Sequence, residues 1–103
     1  MIFGEIVTNK NYYDFYPEIL CLMNKHYSNV ESCVQGDAYI WITQDDERVA
    51  LYTFTSMLFQ IKSNATGGSL VEDVIKTIKI DYPVYLYKDP LLEGDEVPHN
   101  RPN

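Results

Sequence analysis

The chain is poor in the residues from which small domains most often build chemistry. It has two cysteines, Cys21 and Cys33, two histidines, His26 and His99, and one tryptophan, Trp41, in 103 residues. No CxxC or CxxH spacing occurs, and the histidines stand far apart with no cysteine cluster beside either, so no zinc pattern is present. Cys21 falls in a helical pattern and Cys33 in a strand pattern, and two buried, reduced thiols are expected. A bridge between them stays open, since it requires only Cα atoms within about 7 Å. Either thiol could be set beside His26 for nucleophilic catalysis, but no motif supports the pair. Gly67-Gly68 precedes a helical pattern without GxxxxGK[ST] or GxGxxG, and reads as a loop and not as a phosphate cradle.

Long apolar runs are also missing. None approaches the ~18 residues of a membrane span, and the N-terminal stretch lacks a basic region followed by an apolar core. A soluble, cytoplasmic protein is the expectation. Basic charge is scarce: eight Lys and Arg stand against fifteen Asp and Glu, a formal charge of −7. Nucleic acid and anionic membrane repel such a surface, which excludes both as expected partners and favours a basic protein or a cation. The acidic run Asp45-Asp46-Glu47 has no EF-hand spacing, and three successive carboxylates point to different sides, so neither a metal nor a cofactor is expected. With no catalytic motif in view, an enzyme is not the expectation, although a small enzyme or ligand-binding domain stays as an alternative.

What the chain does have is core material. Hydrophobic residues make up 46% and aromatics 14%, and nine of the aromatics are tyrosines. One α+β domain spanning residues 1–90 fits this length, followed by an acidic, loosely ordered tail over 91–103. Residues 2–8 are too short to assign between a strand and a helical turn. From Asp14, Phe15, Ile19, Leu22 and His26 recur at helical spacing, with Asp14 as N-cap and Pro17 in the first turn. Period-two alternation then predicts strands over 30–35, 38–43, 48–55 and 56–63, joined by turns at Gly36-Asp37 and Gln44 to Glu47, with a bulge or bend near Thr55-Ser56. Ser69 and Glu72 form a capping box that opens a second helix with Val71, Val74, Ile75 and Ile78 on one face. A last strand follows at 84–88. The expected architecture is an antiparallel meander sheet of about four to five strands with two helices packed on one face.

The stretch "DAYIWITQDDERVALYTF" separates two sheet faces. Ala38, Ile40, Ile42, Val49 and Leu51 share one side, and Tyr39, Trp41, Tyr52 and Phe54 the other, because successive side chains alternate across a strand. Two helices can cover about one face, and the aliphatic side is the natural seat for their stripes. The aromatic side is then expected to stay at least partly open, with Asp45, Asp46 and Glu47 as a charged rim, which is the composition of a partner-binding surface; cover by the N-terminal segment or the tail is the alternative. The opposite seating would expose the aliphatic residues and call for a second copy of the chain, so a homodimer stays open.

Acidity, aromatic surface and the absence of catalytic motifs together resemble the small acidic immunity proteins of bacterial contact-dependent inhibition systems, and "GDAYIWITQDDERVALYTFTSMLFQIKS", about a quarter of the chain, resembles their hairpin-rich cores. The resemblance is to a type of protein and transfers no site residue. It implies a protein that neutralises a basic toxin, such as a nuclease, by direct binding. A phage-type inhibitor or nucleic-acid mimic is the alternative that uses the same acidity, and the tail acids Glu93, Asp95 and Glu96 form a second candidate acidic patch.

Overall fold

The computed structural model describes residues 1–35, 37–53, 59–64 and 68–91. The elements run β1 (Ile2–Ile6), α1 (Tyr12–His26), β2 (Val30–Gln35), β3 (Asp37–Gln44), β4 (Glu47–Tyr52), β5 (Gln60–Ser63), α2 (Ser69–Asp81) and β6 (Val84–Leu91). The strands form one antiparallel sheet in the order β2-β3-β4-β5-β1-β6. Both helices rest on one of its faces, α1 over β2 and β3 and α2 over β4, β5 and β6. The α+β class and the seating of both helices on one face follow the expectation.

The sixth strand is β1. Five residues containing a glycine carry too little periodicity to be assigned alone, and its partners, β5 and β6, lie more than fifty residues away in sequence. Once paired on both sides it buries Ile2 and Ile6. At Gly4 the β6 backbone comes close: a Cβ built there would stand 2.3 Å from the Tyr85 carbonyl oxygen, so a side chain would push β6 off. β6 itself continues through Pro90 to Leu91 and not to residue 88. It is an edge strand, where a proline's missing N–H need not break a ladder.

Both helix starts differ in detail from the sequence reading. Asn11, not Asp14, caps α1: its side-chain oxygen accepts the Asp14 amide at 3.0 Å, and its Nδ2 donates to the Asp14 carboxylate at 3.0 Å. Asp14 is thus the third helical residue, and the pair acts reciprocally as a capping box does. Pro17 consequently sits in the second turn, on the exposed stripe. His26 is exposed in the last turn and not on the packed side, which ends at Met23; a cation there complements the helix C-terminus. Cys21 is exposed and Cys33 half-buried, and both are free thiols. The expected burial of the two fails for Cys21, which lies between the buried positions Ile19 and Met23 on the helix's outer side. The expected turn at Gly36-Asp37 is shortened, since Asp37 already pairs with Gln35, and Gly36 lies outside the described residues. So do the bend near Thr55-Ser56 and the tail beyond Leu91.

One apolar seam joins the layers. Phe15, Ile19 and Met23 of α1 and Leu70, Val71, Val74 and Ile78 of α2 meet Ala38, Ile40, Ile42, Val49, Leu51 and Ile61 of the sheet, all at most 2% exposed. Two tyrosines clasp the helices at their ends. Tyr82, which caps α2, donates to Glu18 of α1 at 3.1 Å and lies edge-on to Phe15 with ring centroids 4.9 Å apart. Glu18 also pairs with Lys10, whose ammonium holds its carboxyl below the usual range. Tyr27, which caps α1, donates to Asp73 of α2 at 2.6 Å and shares a 3.3 Å hydrogen bond with Thr77.

Burial and the bond to Asp73 push the Tyr27 hydroxyl up to about 12. Its neutral form is therefore favoured by folding, and the stability this contributes is whole below pH ~10 and lost as pH rises towards 12. Urea melts should show a decline across that window that is shallower in Tyr27→Phe than in the parent; equal slopes would remove the clasp from the account.

Candidate functional site

Directly opposed residues of an antiparallel pair share a face. Starting from Tyr39 and Trp41 on β3, the registers place Glu31 and Cys33 of β2, Ala50 and Tyr52 of β4, Gln60 and Lys62 of β5, Glu5 of β1 and Tyr85 of β6 on the side of the sheet away from the helices. Among the described residues neither helix touches this outer face. Tyr39, Trp41 and Tyr52 are brought together there as expected: ring centroids lie 4.8 Å apart for Tyr39 and Trp41 and 5.7 Å for Tyr39 and Tyr52. Phe54 lies outside the described residues.

The three rings are half-buried, although among the described residues neither helix covers them. Two effects remove their area from water. They stack on each other, and two cations lie across them: the Arg48 guanidinium stands 5.6 Å from the Trp41 ring centre and the Lys62 ammonium 4.5 Å from that of Tyr52. Such contacts contribute about 0.5–1 kcal/mol at exposed sites and hold the rings in place. The Cys33 thiol, directly opposite on β2, and some desolvation raise the pKa of the Tyr39 hydroxyl. A second aromatic pair, Tyr85 and Tyr87, lies on β6 with centroids 5.7 Å apart; Tyr87 donates to Glu5 at 3.4 Å, and Tyr85 is 53% exposed. The sequence reading missed this pair because the side of the final strand could not be fixed without its pairing to β1. The face is thus aromatic and close to electrically balanced, with Arg48 and Lys62 set against Glu5 and Glu31.

The acidic knot divides. Asp45 and Asp46 are the two exposed residues at the β3–β4 tip, between the paired Gln44 and Glu47. Asp45 adopts φ +54, a left-handed conformation that aspartate tolerates better than most residues. Asn64 braces the tip, donating to the Asp46 carbonyl at 3.2 Å and accepting the Arg48 amide at 2.9 Å. Glu47 does something else. Its alternation with Arg48 puts it on the helix side, where its carboxylate accepts the Leu70 amide at 3.2 Å and the Ser69 hydroxyl at 3.3 Å. It therefore caps α2 from a distant strand, and the expected Ser69–Glu72 box is replaced: Gly68 is the N-cap, Ser69 is already helical, and Glu72 is exposed in the first turn. A carboxylate at a helix N-terminus meets unsatisfied N–H groups and the positive end of the helix dipole. Glu47 is bound within the molecule and does not border the aromatic face.

Among the described residues no group of three His, Cys, Asp or Glu side chains gathers as a metal cage, and no helix is long and apolar enough to cross a membrane. An open depression of about 320 Å³ lies at the α2–β6 junction, but its walls come from the consecutive residues Lys79–Val84, so no separate elements aim polar groups into it.

The division of the knot predicts opposite effects of two neighbouring changes in chemical denaturation. Asp45→Gly should raise stability by about 0.5 kcal/mol by relieving the left-handed backbone, and Glu47→Gln should lower it by about 1 kcal/mol through the weakened cap. Two changes of the same sign would contradict the assignment. No protein-family model, curated protein or solved structure matches the chain.

Proposed function

We propose that the protein is a small protein-binding inhibitor that docks a basic partner on the outer face of its sheet, in the manner of an immunity protein that neutralises a toxin domain such as a nuclease. The observation that carries this reading is the Tyr39, Trp41 and Tyr52 cluster on a sheet face that neither helix touches, with the exposed carboxylates of Asp45 and Asp46 at one end. Stacked rings fixed by cations are rigid before binding, so little ordering entropy is lost when a partner covers them, and aromatic residues of this kind dominate binding energy at interfaces. Asp45 and Asp46 stand on a braced turn at the edge of that patch, where charge steers encounter with a basic surface more than it adds affinity. The net charge of −7 likewise favours a basic partner.

The test begins with capture of the partner from the native host, identified by mass spectrometry, and repeats the binding with two variants. Trp41→Ala should weaken binding by about tenfold or more, chiefly through faster dissociation. Asp45→Asn combined with Asp46→Lys should slow association and flatten its salt dependence while leaving dissociation almost unchanged. Binding that neither variant alters would move the interface off this face.

A further inference from the structure

The two edges of the sheet are not alike. β6 carries Lys88 and Pro90 and breaks register against β1 between Ile2 and Gly4, and lysine, proline and bulges are devices that protect an edge from further pairing. β2 has none of them. Its six residues, Val30-Glu31-Ser32-Cys33-Val34-Gln35, pair with β3 in unbroken register, and among the described residues the other side of the strand is the end of the sheet.

Hydrogen-bond phase decides which groups face that open side. The Thr43 amide donates to the Asn29 carbonyl at 3.1 Å, in register with Val30 opposite Ile42, so Asn29 and Thr43 form a hydrogen-bonded pair. Bonded and non-bonded pairs alternate along an antiparallel ladder. Glu31, Cys33 and Gln35 therefore aim their backbone groups at β3, and Val30, Ser32 and Val34 aim theirs outward. We propose that a second copy of this chain docks here, the two β2 strands pairing antiparallel about a twofold axis at Ser32 to join the sheets into one.

The strand is its own best partner. Val30 and Val34 lie equally far from Ser32, so an axis at Ser32 opposes each valine to a valine on the helix side of the sheet and forms about six backbone hydrogen bonds, two at each outward-facing pair. An axis at Cys33 keeps about four and opposes Ser32 to a valine. An axis at Glu31 sets like charges against each other. With the axis at Ser32, Glu31 meets Cys33 of the partner subunit and no charge faces its like. Strands lie ~4.8 Å apart, so the two α1 helices, each over β2 and β3, would stand about 10 Å apart across the axis, close to helix-packing distance. Such an interface is isologous and closed, and the guarded β6 edge stops growth at a dimer. It would also make the two aromatic faces continuous, so that one assembly presents the docking surface twice; the pairing itself does not depend on the docking reading.

Sedimentation equilibrium on the full chain in 0.15 M salt tests this. The parent should sediment as a dimer. Ser32→Lys sets two ammonium groups on the axis, and Ser32→Pro removes an outward donor that β3 does not use. Each should weaken the dimer by roughly tenfold or more without altering the circular dichroism spectrum. Ser32→Cys, made with Cys21→Ser and Cys33→Ser, should cross-link into a covalent dimer under mild oxidation, since bonded pairs hold Cα atoms ~5.5 Å apart. A monomer at all concentrations, a higher oligomer, or a dimer that both Ser32 variants leave intact would overturn the proposal.

Discussion

The structure depends on one seam, where the apolar stripes of α1 and α2 lie against the aliphatic side of β3, β4 and β5. Ile40, Ile42, Val49, Leu51 and Ile61 are fully buried there, beneath Ile19, Met23, Val74 and Ile78. Burial of a side chain of this size contributes about 1.5–3 kcal/mol, and no other layer in the described chain offers comparable apolar area. Strand geometry then leaves no freedom on the other side. With Ile40 and Ile42 facing the helices, Tyr39 and Trp41 must face away, and a register slip of one residue would exchange the two sets. That the helices leave the aromatic face uncovered is thus a consequence of where the core forms.

That dependence explains why the faces were legible in the sequence. Alternation along "DAYIWITQDDERVALYTF" specifies which residues share a side, and helices of limited number specify which side is covered. Two of the assignments that failed are decided by groups distant in sequence. β1 is a strand because β5 and β6 flank it, not because IFGEI has a pattern of its own. α2 takes its cap from Glu47, twenty-two residues before Ser69, although Ser69 and Glu72 have the spacing of a local box. At α1 the error was three residues: Asn11 and Asp14 both suit a cap, and the hydrogen bonds between them settle which one takes the role. The loss of Glu47 from the acidic rim has the same origin, since its parity with Val49 and Leu51 was visible but the α2 amide that receives it was not.

The candidate site consequently differs from an acid-lined aromatic patch. Its centre is three rings ordered by Arg48 and Lys62, its charge is nearly balanced, and its acids are displaced to a braced tip. An arrangement of this kind separates two tasks that docking requires, with the rings supplying a rigid contact area and the tip supplying an oriented field. The tip can be rigid because the same hairpin end is tied to the core twice, through Asn64 to the strand backbone and through Glu47 to α2.

The central claim, an outer face left open by the helices, can be tested on the single tryptophan. Acrylamide quenching of Trp41 fluorescence in the native protein should lie between that of the urea-unfolded chain and zero, because the ring is half-buried by its neighbours and by Arg48 but covered by neither helix. Quenching that stays absent until the protein unfolds would contradict the account.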